Sequence, residues 1–283
     1  MRVSISLSDY TWDEEIRTHL GSLVRAADEA GVDTIWLPDH LIQADPRSKP
    51  EAEMLETYTT LGYLAALTSR VRLGAMVTPV SYRFPAAVVK AVTTLDVLSG
   101  GRAWFGIGAG YSEDEARGMG LPFPPVAERF ERLEEALRIA FQMWSGDDSP
   151  FVGKHYQLER PLNSPPPVRR PPVLIGGTGE KKTLRLVAQY GDACNLYDPP
   201  DQGAMIRHKL GVLAGHCETV GRQFEDIDVT VSTRFIEGES PAEFADRAAT
   251  LASYGATHLV LFHPWTVETL EALGKLIPAT TKA

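Results

Sequence analysis

The sequence predicts an α/β fold of the (β/α)8 TIM-barrel class. Short apolar runs alternate with amphipathic stretches, eight such runs occur in 283 residues, and no domain-scale change in composition divides the chain. Strands that alternate with helices pair in parallel, and closing eight of them into a barrel removes the sheet edges. We therefore expect a single domain over residues 1–283. The alternative is an open doubly wound sheet, which the first βα loop disfavours because it has no glycine-rich phosphate motif.

The predicted strands are apolar runs bounded by polar or turn-forming residues. In chain order they are Val3–Leu7, Thr34–Leu37, Val71–Val77, Ala103–Ile107, Val173–Ile175, Ala193–Leu196, Ile227–Val231 and His258–Phe262. Helical spacing between the first two strands places five apolar residues on one face, namely Ile16, Leu20, Leu23, Val24 and Ala27. A longer helix is predicted from Phe130, Leu133, Leu137, Phe141 and Trp144, with its end near Gly146.

The interval between strands 4 and 5 predicts a long insertion, at about residues 111–171. It contains a loop, the longer helix, a predicted hairpin around "FVGKHYQL" and the proline-rich run "RPLNSPPPVRRPP". The prolines favour an extended, semi-rigid connection. Long βα loops on a barrel usually build or cover the active-site mouth, so we expect this segment to shape a binding site.

The charge balance disfavours two classes of partner. The chain has 28 basic and 37 acidic residues, a net charge of −9, and no basic tract longer than a pair. Nucleic acids and anionic membranes are bound through clustered Lys and Arg, so we expect neither. The start "MRVSISLSDYTWDEE" is not typical of a signal peptide, and no apolar run approaches the length of a membrane helix. Two cysteines, Cys194 and Cys217, without a CxxC motif favour a reducing cytoplasm.

The pair Asp39-His40 ends the second predicted strand, in "DTIWLPDH". Reacting groups of such barrels lie at the carboxyl ends of strands, and a histidine there can exchange a proton near neutral pH. Adjacent residues on an extended chain face opposite ways, so we expect the two side chains to meet different partners. The structural alternative is a capping Asp39 and a partly exposed His40. No further residue lies at metal-ligand spacing, so no metal site is predicted.

Two glycine-rich strand ends are further candidates for a ligand site. In "IGGTGEKKT" a strand, then glycines, then a predicted helix would suit an anion, because backbone amides and the helix N-terminus are accessible. A tight βα turn explains the same glycines equally well. In "GIGAGYSEDE" alternate glycines leave one face of strand 4 without side chains, which suits a ligand or simply a crowded interior. Neither run has the spacing of a P-loop or dinucleotide fingerprint.

Together these segments resemble the luciferase-like monooxygenase superfamily, and within it the coenzyme F420-dependent oxidoreductases. The resemblance covers most of residues 1–200 and rests on "AGVDTIWLPDH", "TLDVLSGGRAWFGIGAGY", "GLPFPPVAERFERLEEALRI" and "IGGTGEKKTLRLVA". It implies a TIM barrel that transfers hydride between the reduced deazaflavin F420 and a small organic substrate. It also implies a homodimer, which is common among these relatives.

The resemblance implies roles for particular residues around a flavin-type ring at the strand ends. A cis peptide bond at Met76–Val77 would back the ring, and the chain from Gly108 through Gly110 would pass along it. Asp39 would contact its polar edge. The cofactor phosphate would lie on Gly176, Gly177, Thr178 and Gly179.

His40 would move a proton or stabilise charge at the substrate, with Tyr111 or Glu113 as its partner in proton transfer. Sugar-phosphate dehydrogenases of this group carry Glu where this sequence has Tyr111, which disfavours their reaction here. Two alternatives remain open. One is an FMN-dependent monooxygenase, and either this or the F420 enzyme could depend on a separate reductase partner for its reduced F420 or flavin. The other is a barrel that binds a flavin without catalysis, which the presence of His40 disfavours.

Overall fold

The computed structural model describes residues 1–12, 15–44 and 48–281. Within these ranges the strands are β1 (Arg2–Ser6), β2 (Thr34–Leu37), β3 (Arg72–Ala75), β4 (Thr78–Pro79), β5 (Ala103–Gly108), β6 (Phe151–Val152), β7 (Gln157–Leu158), β8 (Val173–Ile175), β9 (Ala193–Tyr197), β10 (Asp228–Arg234) and β11 (His258–Phe262). Eight parallel strands, β1, β2, β3, β5, β8, β9, β10 and β11, close into a barrel, because β3 pairs with β5 and β1 pairs with both β2 and β11. The predicted barrel is confirmed.

Helices surround the barrel, and neighbouring ones pack together: α1 on α9, α2 on α3 and α6 on α7. They are α1 (Ile16–Ala30), α2 (Thr57–Leu67), α3 (Pro85–Ser99), α4 (Glu113–Gly118), α5 (Val126–Ser145), α6 (Thr183–Tyr190), α7 (Ala204–Val220), α8 (Pro241–Ser253) and α9 (Val267–Leu276), with 3-10 helices at Phe224–Asp226 and Ile277–Thr281. In the described part of the chain, no helix combines the length and the apolar character needed to cross a membrane.

The third strand is shorter than its predicted range, Val71–Val77. Its regular pairing ends at Ala75, and the chain rejoins the sheet at Thr78–Pro79 beside β5. Between them the peptide bond Met76–Val77 is cis, at the position that the resemblance implied. The bulge interrupts the ladder, which is why an apolar run of seven residues gives two short strands.

The barrel interior is filled by side chains. Trp36 and Trp104 lie with ring centroids 5.4 Å apart and pack with Leu174 and Val260. A Cβ atom on Gly74 would lie 2.7 Å from atoms of both tryptophans, so glycine leaves the room that these rings occupy. A ligand must therefore lie above this layer, at the carboxyl ends of the strands.

The chain between β5 and β8 contains α4, α5 and a hairpin. Strands β6 and β7 pair antiparallel, which confirms the hairpin predicted around "FVGKHYQL". Helix α5 ends at Ser145 with Gly146 as its C-cap, near the end that its sequence predicts, and it packs against α3. The proline-rich run that follows contains a cis bond at Ser164–Pro165. The Asp96 carboxylate of α3 fixes this run by accepting hydrogen bonds from the backbone of Val168 and Arg169.

Candidate active site

Asp39 and His40 follow β2 at the mouth of the barrel, and both are buried. Their side chains meet different partners, as the alternation of an extended chain predicts. Asp39 contacts Arg83, which follows β4, whereas His40 contacts Glu115 of α4. The residues therefore belong to two separate hydrogen-bond networks that begin at adjacent positions of the chain.

The Asp39 network leaves one carboxylate oxygen without a partner. Arg83 donates to Oδ2 of Asp39 and, at 2.5 Å, to Oε1 of Glu56, while its guanidinium lies 4.9 Å from the ring centroid of Tyr58. Oδ1 of Asp39 is buried and accepts no hydrogen bond from any described residue. Burial raises the pKa of the Asp39 carboxyl, although Arg83 and the nearby Thr78 hydroxyl oppose this change. An unsatisfied buried acceptor costs about 1–3 kcal/mol, so this oxygen is ready to accept a ligand N–H group.

The His40 network runs from a buried carboxylate to a hydroxyl at the surface. Nδ1 of His40 lies 2.6 Å from Oε2 of Glu115, whose Oε1 accepts a 2.6 Å hydrogen bond from the Leu41 amide. Nε2 lies 3.2 Å from the Tyr111 hydroxyl. Burial alone would raise the pKa of Glu115, but the hydrogen bonds from His40 and the Leu41 amide, together with the nearby Tyr82 hydroxyl, lower this pKa to about 2. Glu115 is therefore a carboxylate at neutral pH.

Glu113, the other acidic candidate, is not brought to His40. Its Oε1 lies 2.6 Å from Nη2 of Arg117, and its side chain is half exposed. Residues two apart on a helix point about 200° apart around its axis, so Glu113 and Glu115 cannot share one side of α4. The structure thus joins His40 and Tyr111 and supplies Glu115 as the nearby acid.

Tyr111 stands at the edge of an open cleft. The preceding Gly110 has φ +78°, a conformation in which glycine carries no Cβ penalty, and it turns the chain out of β5. The cleft has a volume of about 520 Å³, and its other walls include Phe123, Pro125 and Arg129. Burial raises the pKa of the Tyr111 hydroxyl, as do the nearby Tyr197 and Glu115. Tyr111 therefore keeps its proton at neutral pH while facing solvent.

The glycines after β8 form an accessible backbone at the start of α6. Gly177 and Gly179 are exposed, and Gly177 has φ +105°. Cβ atoms at these two positions would lie 3.5 and 3.0 Å from Oγ1 of Thr183, the first residue of α6. Thr178 lies between the two glycines, so its hydroxyl is at the same turn. Free amides at a helix N-terminus suit an anion such as a phosphate.

The glycines of β5 have a different explanation. A Cβ atom on Gly106 would lie 1.8 Å from the Ala75 carbonyl oxygen, and one on Gly108 would lie 2.9 Å from Cγ2 of Val77. Gly176 meets the same Val77 side chain, at 2.6 Å. The bare face of β5 is therefore covered by the bulge of the third strand, as the crowded-interior alternative predicts. Met76 and Val77 themselves are partly exposed at the barrel mouth.

Three charged residues of these networks were missed by sequence reasoning: Arg83, Glu56 and Glu115. Arg83 is the only basic residue in the connection between β4 and α3, which is a weak signal for a charge partner. Glu115 is one of three acids in "EDE", and only the helical phase selects it. Glu56 gives no such signal, because it is the N-cap residue of α2, at the end of the long connection after β2.

The residues present fit a flat heterocycle with an N–H edge and a phosphate on its side chain. The unbonded oxygen of Asp39 would accept the N–H, the partly exposed Met76–Val77 segment offers an apolar surface, and the Gly177–Gly179 turn offers amides to the phosphate. These sites all lie at the carboxyl ends of the strands, where enzymes of the TIM-barrel class bind their ligands.

The chain belongs to the luciferase-like monooxygenase family, whose model matches residues 7–279. This confirms the superfamily and extends the match beyond the first 200 residues. The F420-dependent glucose-6-phosphate dehydrogenase of Kineococcus radiotolerans is 31% identical over 218 residues, which are 77% of this chain and 63% of the relative. The F420-dependent hydroxymycolic acid dehydrogenase of Mycobacterium tuberculosis is 31% identical over 245 residues, 86% of this chain and 65% of the relative. The chain thus spans less than two thirds of the length of these curated relatives.

A solved structure shows the same fold over the whole chain. The F420-dependent secondary alcohol dehydrogenase in complex with an F420-acetone adduct superposes with a TM-score of 0.83, over 99% of this chain and 98% of that one. The two sequences are 17% identical, so this likeness concerns the fold.

Proposed function

We propose that this protein is an F420-dependent oxidoreductase that transfers hydride between the reduced deazaflavin and a small organic substrate. One observation carries the proposal: a buried Asp39 oxygen without a partner and an exposed glycine turn at a helix start lie at the same end of the barrel. The 31% identity to two F420-dependent dehydrogenases supports F420 over FMN. Bound F420 would supply the hydride in its reduced form and accept one in its oxidised form.

In this proposal the chain's own residues hold the cofactor. Asp39 accepts a hydrogen bond from the N–H edge of the ring, and Arg83 keeps the Asp39 carboxylate in place. The segment Met76–Val77 and the chain through Gly108 and Gly110 flank the ring. The phosphate lies on Gly176, Gly177, Thr178 and Gly179, where the unpaired amides at the start of α6 complement its charge.

The substrate lies in the cleft beside Tyr111, so that His40 can exchange its proton. The segment of residues 111–171, with α4, α5 and the hairpin, is the insertion that shapes this cleft, since Phe123, Pro125 and Arg129 line it. Glu113 also lines the cleft and would contribute to substrate binding more than to proton transfer, because it pairs with Arg117.

Further properties belong to the same proposal. The 283 residues form one luciferase-like domain, which the family match over residues 7–279 supports. A reducing cytoplasm is supported by Cys194 and Cys217, which are both buried and unpaired. A homodimer and a reductase that regenerates the reduced cofactor are supported by the family resemblance.

Titration of the purified protein with F420 and, separately, with FMN tests the cofactor. We expect F420 to bind with a dissociation constant in the micromolar range or below, and FMN to bind much more weakly. Tight FMN binding without F420 binding would overturn the proposal in favour of a monooxygenase. Binding of F420 without hydride transfer to or from any substrate would instead favour the non-catalytic barrel.

A further inference from the structure

We propose that Glu115 fixes the protonation form of His40 and that Tyr111, at the end of this chain of hydrogen bonds, exchanges the proton with a substrate oxygen. The substrate class is then a carbonyl compound and its alcohol. The inference rests on the proposed F420-dependent function. It assigns Glu115 as a positioning residue and Tyr111 as the catalytic residue that touches the substrate.

The first step concerns the imidazole nitrogen that faces Glu115. A carboxylate only accepts hydrogen bonds, so Nδ1 of His40, at 2.6 Å from Oε2, must carry a proton. The other carboxylate oxygen is held by the Leu41 amide at 2.6 Å, so the carboxylate cannot rotate away. The side chain of Glu115 is 1% exposed, which keeps water from competing for either oxygen. Nδ1 therefore stays protonated through the cycle, and Nε2 is the nitrogen that gains and loses a proton.

The second step concerns the path from Nε2 to the substrate. Tyr111 places its hydroxyl 3.2 Å from Nε2 and its ring edge-on to the imidazole, with centroids 5.6 Å apart. His40 is only 9% exposed, whereas Tyr111 is 76% exposed and lines the 520 Å³ cleft. A molecule in the cleft thus contacts Tyr111, whereas the buried His40 is not among the residues that line the cleft. Histidine acts on the substrate through Tyr111.

The third step concerns the substrate atom. In carbonyl reduction, bound reduced F420 would supply the hydride for the new C–H bond, and the π electron pair would move to the substrate oxygen. The Tyr111 O–H bond breaks as its proton forms the alcohol O–H, and Tyr111 takes the Nε2 proton of the His40 imidazolium. His40 is left neutral with Nδ1–H on Glu115 and regains a proton from water. Alcohol oxidation runs the same transfers in reverse, starting from neutral His40.

Nitrogen NMR of ¹⁵N-histidine-labelled protein tests the positioning role without cofactor or substrate. We expect neutral His40, identified by the signals lost in His40→Asn, to be in the Nδ1–H form, whereas free histidine prefers Nε2–H. Glu115→Gln should move His40 towards the Nε2–H form. The matched control Asp114→Asn removes the neighbouring exposed charge of α4 and should leave His40 as in the wild type.

Signals of the six other histidines report whether each variant folds, since the chain has seven. If Glu115→Gln proves unfolded, the wild-type spectrum still decides, because an Nε2–H form of neutral His40 there would contradict the inference. An unchanged His40 form in folded Glu115→Gln would contradict it too.

Turnover with reduced F420 and a panel of ketones and aldehydes, including cyclohexanone, tests Tyr111 and the substrate class. Tyr111→Phe should lower kcat about 100-fold, within the usual contribution of a positioned proton donor, and leave KM and F420 affinity unchanged. Unchanged kcat in Tyr111→Phe would overturn the relay. Binding of F420 by the wild type without turnover of any carbonyl compound would overturn the substrate class. Absence of F420 binding by the wild type would overturn the proposed function instead, whatever form His40 takes in the NMR spectrum.

Discussion

The two ends of the barrel each bury a histidine near a carboxylate, in very different surroundings. At the amino end His258, the first residue of β11, is fully buried, with Nε2 on the Ser4 hydroxyl and 3.7 Å from Asp33. At the carboxyl end His40 lies 2.6 Å from Glu115, and its other nitrogen reaches a hydroxyl at an open cleft. The amino-end histidine is enclosed by strands, whereas the carboxyl-end histidine contacts residues beyond β5 that reach the solvent.

Both ends have a buried histidine near a carboxylate, so residue type alone does not distinguish a reactive histidine from a structural one. Burial lowers the pKa of His258 to about 4, so this side chain stays neutral in the folded protein near pH 7. The partners of His40 come from loop and helix residues beyond β5, and such segments can change without disturbing the barrel. We therefore expect substitutions at the carboxyl end to act mainly on turnover or ligand affinity, and substitutions at the amino end to act on stability.

The largest expected effect is on turnover in His40→Asn. Loss of the imidazole removes the group that we propose supplies the proton to Tyr111, so kcat should fall about 10²- to 10⁴-fold, while F420 affinity stays within twofold. The comparison variant is His258→Gln at the other end, which should keep kcat per folded molecule near the wild-type value. Equal kcat values for His40→Asn and wild type would show that the relay does not operate.

The next effect is on the free energy of unfolding in Arg83→Leu. It tests whether the ion pair between Arg83 and Asp39 stabilises the carboxyl end of the barrel. Removing the guanidinium leaves buried Asp39 without its counter-charge, which should cost about 3 kcal/mol of unfolding free energy. The double variant Arg83→Leu/Asp39→Asn should recover part of this loss, because no unpaired buried charge remains. Urea denaturation of the three proteins measures both values. No recovery in the double variant would mean that the Arg83 side chain stabilises by packing over Tyr58 and not by charge.

A smaller effect is expected on cofactor affinity in Gly177→Asp. The new carboxylate would repel the phosphate and crowd Thr183, so F420 affinity should fall at least about tenfold, or 1.4 kcal/mol. Gly31→Asp is the matched control, because Gly31 also has positive φ but lies at the end of α1 with open space around it. Both variants place a side chain at a positive φ, +105° at Gly177 and +81° at Gly31, and both add the same charge. Equal F420 affinities in the two variants would contradict the phosphate placement.

The sequence predicts the barrel more fully than it predicts the site. Apolar runs and helical spacing report burial along the chain, and these place all eight barrel strands within two or three residues of their ends. Asp39 and His40 stand out because they end a strand abruptly. Arg83 and Glu115 do not, since their contacts span 44 and 75 residues and depend on the direction of a loop and the phase of a short helix. Such long-range side-chain contacts leave no periodic pattern in the sequence.

The last prediction concerns the pH dependence of stability at the amino end. Unfolded histidine has a pKa near 6.5, whereas burial lowers the pKa of folded His258 to about 4 despite the nearby Asp33 and Asp228, with Arg2 and Arg72 also facing it. Between these values the unfolded chain binds more protons, so acidification favours unfolding. The slope from this residue is at most about 1.4 kcal/mol per pH unit.

Urea unfolding at several pH values between about 4 and 7 should therefore show wild-type stability falling on acidification, and a shallower fall in His258→Gln. Glu115 does not affect stability in this pH range. Its pKa is lowered in the folded protein, so its contribution to stability is lost only below about pH 4.3, the pKa of an unfolded glutamate. Parallel pH profiles for His258→Gln and wild type would show that folding does not shift the pKa of His258. A steeper fall in His258→Gln than in wild type would show that His258 is protonated in the folded barrel, with Asp33 as its counter-charge. The amino end would then be a buried ion pair, and the contrast with the carboxyl end would rest on solvent access alone.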